Sequence, residues 1–385
     1  MLKILFMCAA ILIVTGCASI GPRRVLIDRG TYNNIVRETD QEQLLTNIVR
    51  QRYIEITEYI QVASLTASYS LSQSLSGSVS ALTSTGPASL TSSLSPSITY
   101  SDTPTISYLP LSNIEFAKSL MTPVTMENFL LLAHAGGYDS SMLFSLLFEQ
   151  IGDLDGDLLN HNGLNRLTPE FIKFNRIIDL FNKMYRNGFF RTPRAVIYGK
   201  HLGIIVRFKN HKRSTPDALK LQKLLGIPAH SPYILFMEHT LLAALKEKNG
   251  MLLLEDTAPK FRNVVFVRLR SMYSVIYLLG RGVQIPCKDI NAHMTRELLN
   301  PDGSRFDWTN KMKNILTIYS SNEAPESDYL VKVNVHNHWF YIKSSDQTSK
   351  DTFDAILRLL TLTSSSASSN NSMPVLTIPV SSSSK

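Results

Sequence analysis

Not one charged residue lies between Tyr59 and Ser101, in a chain of 385 residues of which 18% are Asp, Glu, Lys or Arg. An uncharged window of that length is not the self-repelling, charge-rich type of disordered linker. Cysteine is nearly absent as well: Cys8, Cys17 and Cys287 are the whole set, and no Cys-x-x-Cys pair occurs. That excludes a fold stapled by several disulfides. The chain also lacks a Gly-x-Ser-x-Gly elbow, a His-Glu-x-x-His helix and a Walker loop. Its Ser-x-x-Lys, Ser382 to Lys385, falls in a frayed tail that would hold no nucleophile. These gaps argue against the corresponding chemistries, so the chain is expected not to be an enzyme and to need no cofactor. Positive charge is modest and dispersed, +8 overall without a basic block.

What fills the uncharged window is Ser and Thr, sorted by parity. From Ser64 to Ser80 every even position is Ser or Thr, with Leu65, Tyr69, Leu71, Leu75 and Val79 among the odd ones. From Ser89 to Ser107 the polar positions are odd, and Leu90, Leu94, Ile98, Tyr100 and Ile106 are even. Alternation of this kind belongs to strands, whose successive side chains point to opposite faces. The change of parity requires antiparallel partners whose numbers sum to an odd value. A four-residue loop at Ser84-Thr-Gly-Pro87 sets that sum at 171, placing Ser64 opposite Ser107, Leu71 opposite Tyr100 and Ala81 opposite Leu90.

The N-terminus reads as a signal peptide: Met1-Leu-Lys3, an apolar run from Ile4 to Val14, then Val14-Thr-Gly-Cys17. The apolar run is too short for a permanent membrane span. Small residues before Cys17 resemble the lipobox of bacterial lipoproteins, in which the signal is cut before the cysteine and the cysteine is lipidated. The resemblance implies that Cys17 carries acyl groups such as palmitate, and that Ala18 after it directs the product to the outer membrane. A lipid-anchored protein with a periplasmic soluble part is therefore expected, with outer-membrane lipid as a partner and nucleic acid excluded by compartment. With Cys17 lipidated no internal disulfide can form, and Cys287 is expected as a small buried hydrophobe.

The rest of the chain suggests an α+β organisation. We expect a signal over 1–16, a lipidated N-terminus with a short amphipathic helix over 17–58 (the helix at Gln41–Tyr53), and a long hairpin over 59–109. A helical region over 110–190 and a mixed α/β domain over 191–385 follow. Helices are predicted at Ile114–Met121, Met126–Ala135, Ser140–Ile151, Thr168–Met184, Ala218–Leu225, Thr240–Lys248, Met272–Gly280 and Ser349–Leu362. Strands are predicted at Ala195–Tyr198, Gly203–Phe208, Tyr233–Met237, Val264–Leu269, Leu330–Val335 and Trp339–Lys343, with a Ser-rich loop over Thr363–Ser372 and an edge strand at Pro374–Ile378.

Two constellations could hold a metal. Asp153, Asp155 and Asp157 alternate around Gly156 as in a calcium loop, but the glycine falls two places early for an EF-hand and Leu164 stands where a glutamate belongs. His336 and His338 would share a strand face, without an identifiable third ligand. A solvated turn explains each as well.

Leu45-Thr-Asn-Ile-Val-Arg50 with Arg52-Tyr53, Thr105-Ile-Ser-Tyr-Leu-Pro-Leu111, Trp339-Phe-Tyr-Ile342, Ser349-Lys350, Thr352-Phe353 and Pro374-Val-Leu-Thr-Ile-Pro379 together resemble an uncharacterised family of proteobacterial outer-membrane lipoproteins. Gln51 departs from it, where a leucine would be expected. The resemblance implies an envelope lipoprotein and carries over no site residues.

Two functions fit. The first is a structural or channel-forming envelope component whose hairpin pools with those of other protomers, as a homo-oligomer or within an envelope complex. The second is a monomeric periplasm-facing lipoprotein that binds a partner or assists assembly through its α/β domain. The hairpin itself has three readings: a membrane strand pair, an amphipathic hairpin over a soluble core, or a disordered arm.

Overall fold

The computed structural model describes residues 20–66, 69–82, 89–102, 105–111, 114–156, 167–198, 201–238, 245–248, 251–254, 263–368 and 376–379. The protein is α+β, and the chain divides into two compact units: residues up to Thr57 with Asn113–Ser369, and Glu58–Ser112 with Asn370–Lys385. Cys17, Asp157 and the Ser84–Pro87 loop lie outside the described residues.

In the first unit α1 (Ile20–Arg52) is much longer than expected. Its second half carries the stripe Leu44, Leu45, Ile48 and Val49, all at most 1% exposed. Residues 30–40 show only exposed or half-buried positions, so no apolar periodicity announces that part of the helix. A six-stranded sheet forms the centre, in the order Leu154–Asp155, Phe148–Ile151, Val264–Leu269, Tyr233–Glu238, His201–Arg207, Arg194–Tyr198. Its strands are β5 (Phe148–Ile151), β6 (Leu154–Asp155), β7 (Arg194–Tyr198), β8 (His201–Arg207), β9 (Tyr233–Glu238) and β12 (Val264–Leu269). Only β9 and β12 run parallel within it.

Helices α2 (Ile114–Met121), α3 (Met126–His134), α4 (Ser140–Leu147) and α5 (Pro169–Arg186) belong to this same unit. The position expected for a boundary, near residue 190, lies within this unit. Phe144 of α4 explains the merger: its ring lies 4.5 Å from Phe148, 4.4 Å from Phe181 and 5.0 Å from Phe129, and the strand residue Phe236 is 5.5 Å away. One aromatic core thus joins the helical segment to the sheet, and such ring pairs add to the burial of the large side chains.

Helix α5 starts and stops where its sequence says it should. Thr168 Oγ1 accepts from the Phe171 amide, Pro169 occupies the first turn, and Gly188 leaves the helix at φ 65°. Phe171, Phe174, Ile177, Ile178, Phe181 and Met184 form its buried stripe.

The predicted helix Ser140–Ile151 is corrected, because it changes to strand at Phe148. Leu245–Lys248, predicted as the end of a helix, is strand β10, paired with β11 (Met251–Leu254). After α6 (Pro216–Leu224) and α7 (Met272–Gly280) come the short helices α8 (Cys287–Asn291) and α9 (Trp308–Met312). Strands β13 (Tyr319–Ser321), β14 (Val331–Val335) and β15 (His338–Ile342) make a small sheet of order β13-β15-β14. Helix α10 (Gln347–Ser368) follows, and the expected loop over Thr363–Ser372 is corrected over its first six residues. Thr363 Oγ1 donates to the carbonyls of Leu359 and Leu360, so a residue that often favours turns is folded back onto the helix.

Tyr138 ties the loop after α3 to α10 by donating to Asp354 Oδ2, which also accepts from Arg358 at 2.9 Å. Burial first, and then the Asp354 hydrogen bond and charge, push the phenol from 10.0 up to about 12. A pKa raised on folding gives stability that is complete below pH 10 and is lost as the pH climbs from 10 to 12. Tyr138→Phe should therefore melt below the wild type at pH 8 and alongside it at pH 12. A constant gap in melting temperature would refute this.

In the second unit β1 (Ile60–Thr66), β4 (Thr105–Pro110) and β16 (Leu376–Pro379) form a sheet with β4 in the middle. Ser64 pairs with Ser107, Leu65 with Ile106 and Thr66 with Thr105, while a bulge at Ala63 shifts the pairs closer to Ile60. Strands β2 (Tyr69–Leu82) and β3 (Ser89–Asp102) pair over fourteen positions, each summing to 171.

Candidate functional site

The β2–β3 ribbon is the feature with the clearest chemical asymmetry. Its register places Ser70, Ser72, Ser74, Ser76, Ser78 and Ser80 opposite Ser101, Thr99, Ser97, Ser95, Ser93 and Thr91. One face of the ribbon is thereby a double row of hydroxyl positions, and Ser76 and Ser97, both on it, are exposed. The other face pairs Leu71 with Tyr100, Gln73 with Ile98, Leu75 with Pro96 and Ala81 with Leu90. Among the described residues no third strand joins either edge. At ~3.3 Å per residue, fourteen residues reach ~46 Å, more than the 9–11 that a tilted membrane strand uses. An isolated two-stranded hairpin has little stability in water, and its unpaired edges invite another chain.

A second polar assembly gathers at the end of α1. Arg52, 7% exposed, donates to Glu297 at 2.5 Å and to the Arg296 carbonyl at 2.7 Å; Arg281 donates to the same carbonyl at 2.8 Å and to Tyr277 Oη at 2.7 Å. Burial is the main influence on Arg281 and lowers its pKa, with Tyr277 opposing it. Tyr53 Oη donates to buried Asp289 at 2.6 Å, and burial followed by that bond drives the phenol far above its usual range. These contacts clamp α1 to segments some 230 to 250 residues away in sequence. Arg52 and Tyr53 belong to the stretch that carries the family resemblance, and so do Ser349 and Thr352. Ser349 Oγ accepts from the Thr317 amide, and Thr352 Oγ1 donates to the Ile315 carbonyl. In this structure those residues are part of the scaffold.

The described members of the two metal constellations have other surroundings. Asp153 is exposed, and Asp155 lies 3.8 Å from Arg268. His336 and Asn337 form the hairpin turn at φ 50° and 66°, so His336 leaves the strand face and meets Glu55 at 2.7 Å, its ring tilted against Tyr53 with centroids 4.6 Å apart. His338 begins β15, with Nδ1 3.1 Å from Asn322 and Nε2 3.8 Å from Asp289. The shared face is corrected, because this two-residue turn has positive φ at both His336 and Asn337, as a type I′ turn requires, and redirects the first histidine. Among the described residues no three His, Cys, Asp or Glu side chains could hold an ion together. Cys287 is exposed, which corrects its expected burial: α8 turns Asp289 inward to Tyr53 instead.

Sequence reading missed the groove of about 500 Å³ along α5, flanked by the ion pairs Lys183–Asp217 at 2.9 Å and Lys311–Asp179 at 2.5 Å. It also missed Glu149. The β5–β12 ladder shifts between Arg268–Gln150 and Leu269–Phe148, which leaves Glu149 as the extra residue of a bulge. The freed carboxylate accepts from Ser274 at 2.7 Å and Arg268 at 2.9 Å, and Arg270 is 3.8 Å away.

Among the described residues no helix is long and apolar enough to cross a membrane. Comparison of the chain with family models, characterised proteins and solved structures finds no match.

Proposed function

We propose that the chain is an outer-membrane lipoprotein, anchored through Cys17, which acts as a non-enzymatic structural or channel-forming component of the envelope. Its β2–β3 ribbon joins ribbons of other copies to close a membrane barrel. The observation that carries this reading is the fourteen-pair ribbon, uncharged except for Asp102 at its end, with one hydroxyl face, one largely apolar face and, among the described residues, two open edges. Lipid tolerates no open strand edge, so a two-stranded ribbon can span only inside a closed ring. Pro96 can donate no ladder hydrogen bond, so any neighbour must do without a partner at that position. Bacterial signal-peptide spelling, the lipobox-like Val14-Thr-Gly-Cys17 and the resemblance to proteobacterial outer-membrane lipoproteins support the location, with the first unit in the periplasm.

Projection images of the detergent-extracted protein test the assembly: rings are expected, and uniform single particles would overturn it. Anchoring has its own test. Labelled palmitate should enter the wild type and not Cys17→Ser; equal labelling would show that the attachment lies elsewhere.

The groove along α5 favours the second reading, a monomeric periplasm-facing lipoprotein that binds a partner through the first unit. Single particles in the same images, with that groove protected from labelling by cell-envelope extract, would be its signature.

A further inference from the structure

Behind the groove on α5 is an inner cavity of about 60 Å³, and the two share Phe171, Asn175, Asp179 and Lys311 as a common wall. A water needs only about 10–15 Å³ on this measure, so the cavity has room for several waters or one small ion. Its lining includes a buried donor and a buried acceptor that find no partner among the described residues: Trp308 Nε1–H and Asn182 Oδ1. Trp308 is 7% exposed. The Asn182 amide is oriented by Ser145, whose single hydroxyl proton goes to the Ser141 carbonyl at 3.0 Å. Toward Asn182 that hydroxyl can only accept, from Nδ2 at 2.6 Å, so Oδ1 must be the free acceptor. Buried polar atoms are nearly always paired, and an unpaired donor and acceptor in one cavity wall point to an occupant that supplies both complements.

Charge narrows the occupant. Arg270, 3% exposed, lines the cavity with Arg186 and Lys311; Asp179 is the lining carboxylate among the described residues, and Glu149 faces Arg270 at 3.8 Å from outside the lining. We propose that the cavity binds one phosphate group, admitted from the groove past the Lys311–Asp179 ion pair. At neutral pH inorganic phosphate keeps a P–OH to donate to Asn182 Oδ1, as a monoester does below its second pKa of about 6, and it has anionic oxygens to accept from Trp308 Nε1–H beside the cations. Sulfate offers the same shape and charge without the proton, and so leaves Asn182 Oδ1 unpaired.

The full chain in detergent, carrying Trp339→Phe, leaves Trp308 as the sole indole, because the sequence has two tryptophans. Titration at pH 7 with inorganic phosphate should change its emission saturably, and sulfate at equal ionic strength should bind at least about tenfold more weakly. Asn182→Leu should erase that preference. If this variant loses its cooperative unfolding, Lys311→Met replaces it and should weaken phosphate several-fold while leaving the preference over sulfate. Equal binding of the two anions means that the site reads charge without the proton on Asn182 Oδ1, and no saturable response to phosphate means that ordered water alone fills the cavity; either overturns the proposal. Glycerol phosphate, titrated beside inorganic phosphate at pH 5 where the monoester is chiefly the monoanion and keeps one P–OH, separates the sources of the group: binding as tight as phosphate places an ester's organic part in the groove, and exclusion of the ester identifies the free ion.

Discussion

Glu149→Ala should destabilise the first unit by about 3–5 kcal/mol, the usual cost of removing one member of a buried ion pair. Alanine takes away the carboxylate that accepts from Ser274 and Arg268 and that faces Arg270, yet leaves the Arg270 charge in a site only 3% exposed. Hydrogen-bonding to the Gly156 carbonyl at 3.2 Å remains, but a carbonyl dipole does not neutralise a guanidinium. Glu149→Gln keeps the volume and an acceptor for Ser274, and should fall between alanine and wild type. Arg268→Ala should cost much less, because that side chain is 29% exposed and water can take over part of its role. Urea unfolding of the three variants ranks them. A Glu149→Ala midpoint equal to wild type would show that the bulge holds this carboxylate for a reason other than charge balance.

The same glutamate shows where sequence reasoning ends. In Ser140–Ile151 nearly every position of α4 is buried, as are Phe148, Glu149 and Ile151 beyond it. A segment buried all round has no period to read, so helix and strand look alike. One acidic residue inside the apolar run FSLLFEQI was the available signal of a change. By contrast, α5 could be placed to within a few residues, because Thr168-Pro-Glu170 and Asn187-Gly188 act through local capping chemistry. The β2–β3 register was equally legible, since parity with a switch admits only odd sums and side-chain alternation has a period of two.

The candidate sites were legible in a different proportion. The ribbon is a local pattern and could be read from the chain alone. The groove, the cavity and the clamp on α1 could not, because they are made by residues far apart in sequence: Arg52 with Arg281 and Glu297, Asn182 with Trp308. Asp153 and Asp155 seemed to belong together by spacing, yet Arg268, brought beside Asp155 by the β5–β12 pairing, gives that carboxylate an ordinary ionic partner. Spacing identifies shared faces within an element. It carries no information on which distant charge arrives.

An arginine at Leu71 or Leu75 should cost about 2–4 kcal/mol of ribbon insertion if those positions meet lipid near the bilayer midplane, while Ser72→Arg or Ser74→Arg should cost little. Register makes the contrast sharp, because Leu71 lies opposite Tyr100 and Ser72 opposite Thr99, one step along the same ladder and on the other face. Loss of stability by itself does not separate lipid from a protein surface, since a ribbon packed on its own chain would also reject arginine on its apolar face. Single cysteines from Ser70 to Ser76 do separate them. They must be placed in a Cys287→Ser background, because Cys287 is exposed and would react first. In intact outer membranes a water-soluble thiol reagent should label the even positions, and a lipid-phase quencher should reach fluorophores attached at the odd ones. Alternating reactivity without quenching at Leu71 and Leu75 would mean that this face packs on protein, and the channel reading would fall. No alternation at all would mean that the ribbon is not formed in the envelope.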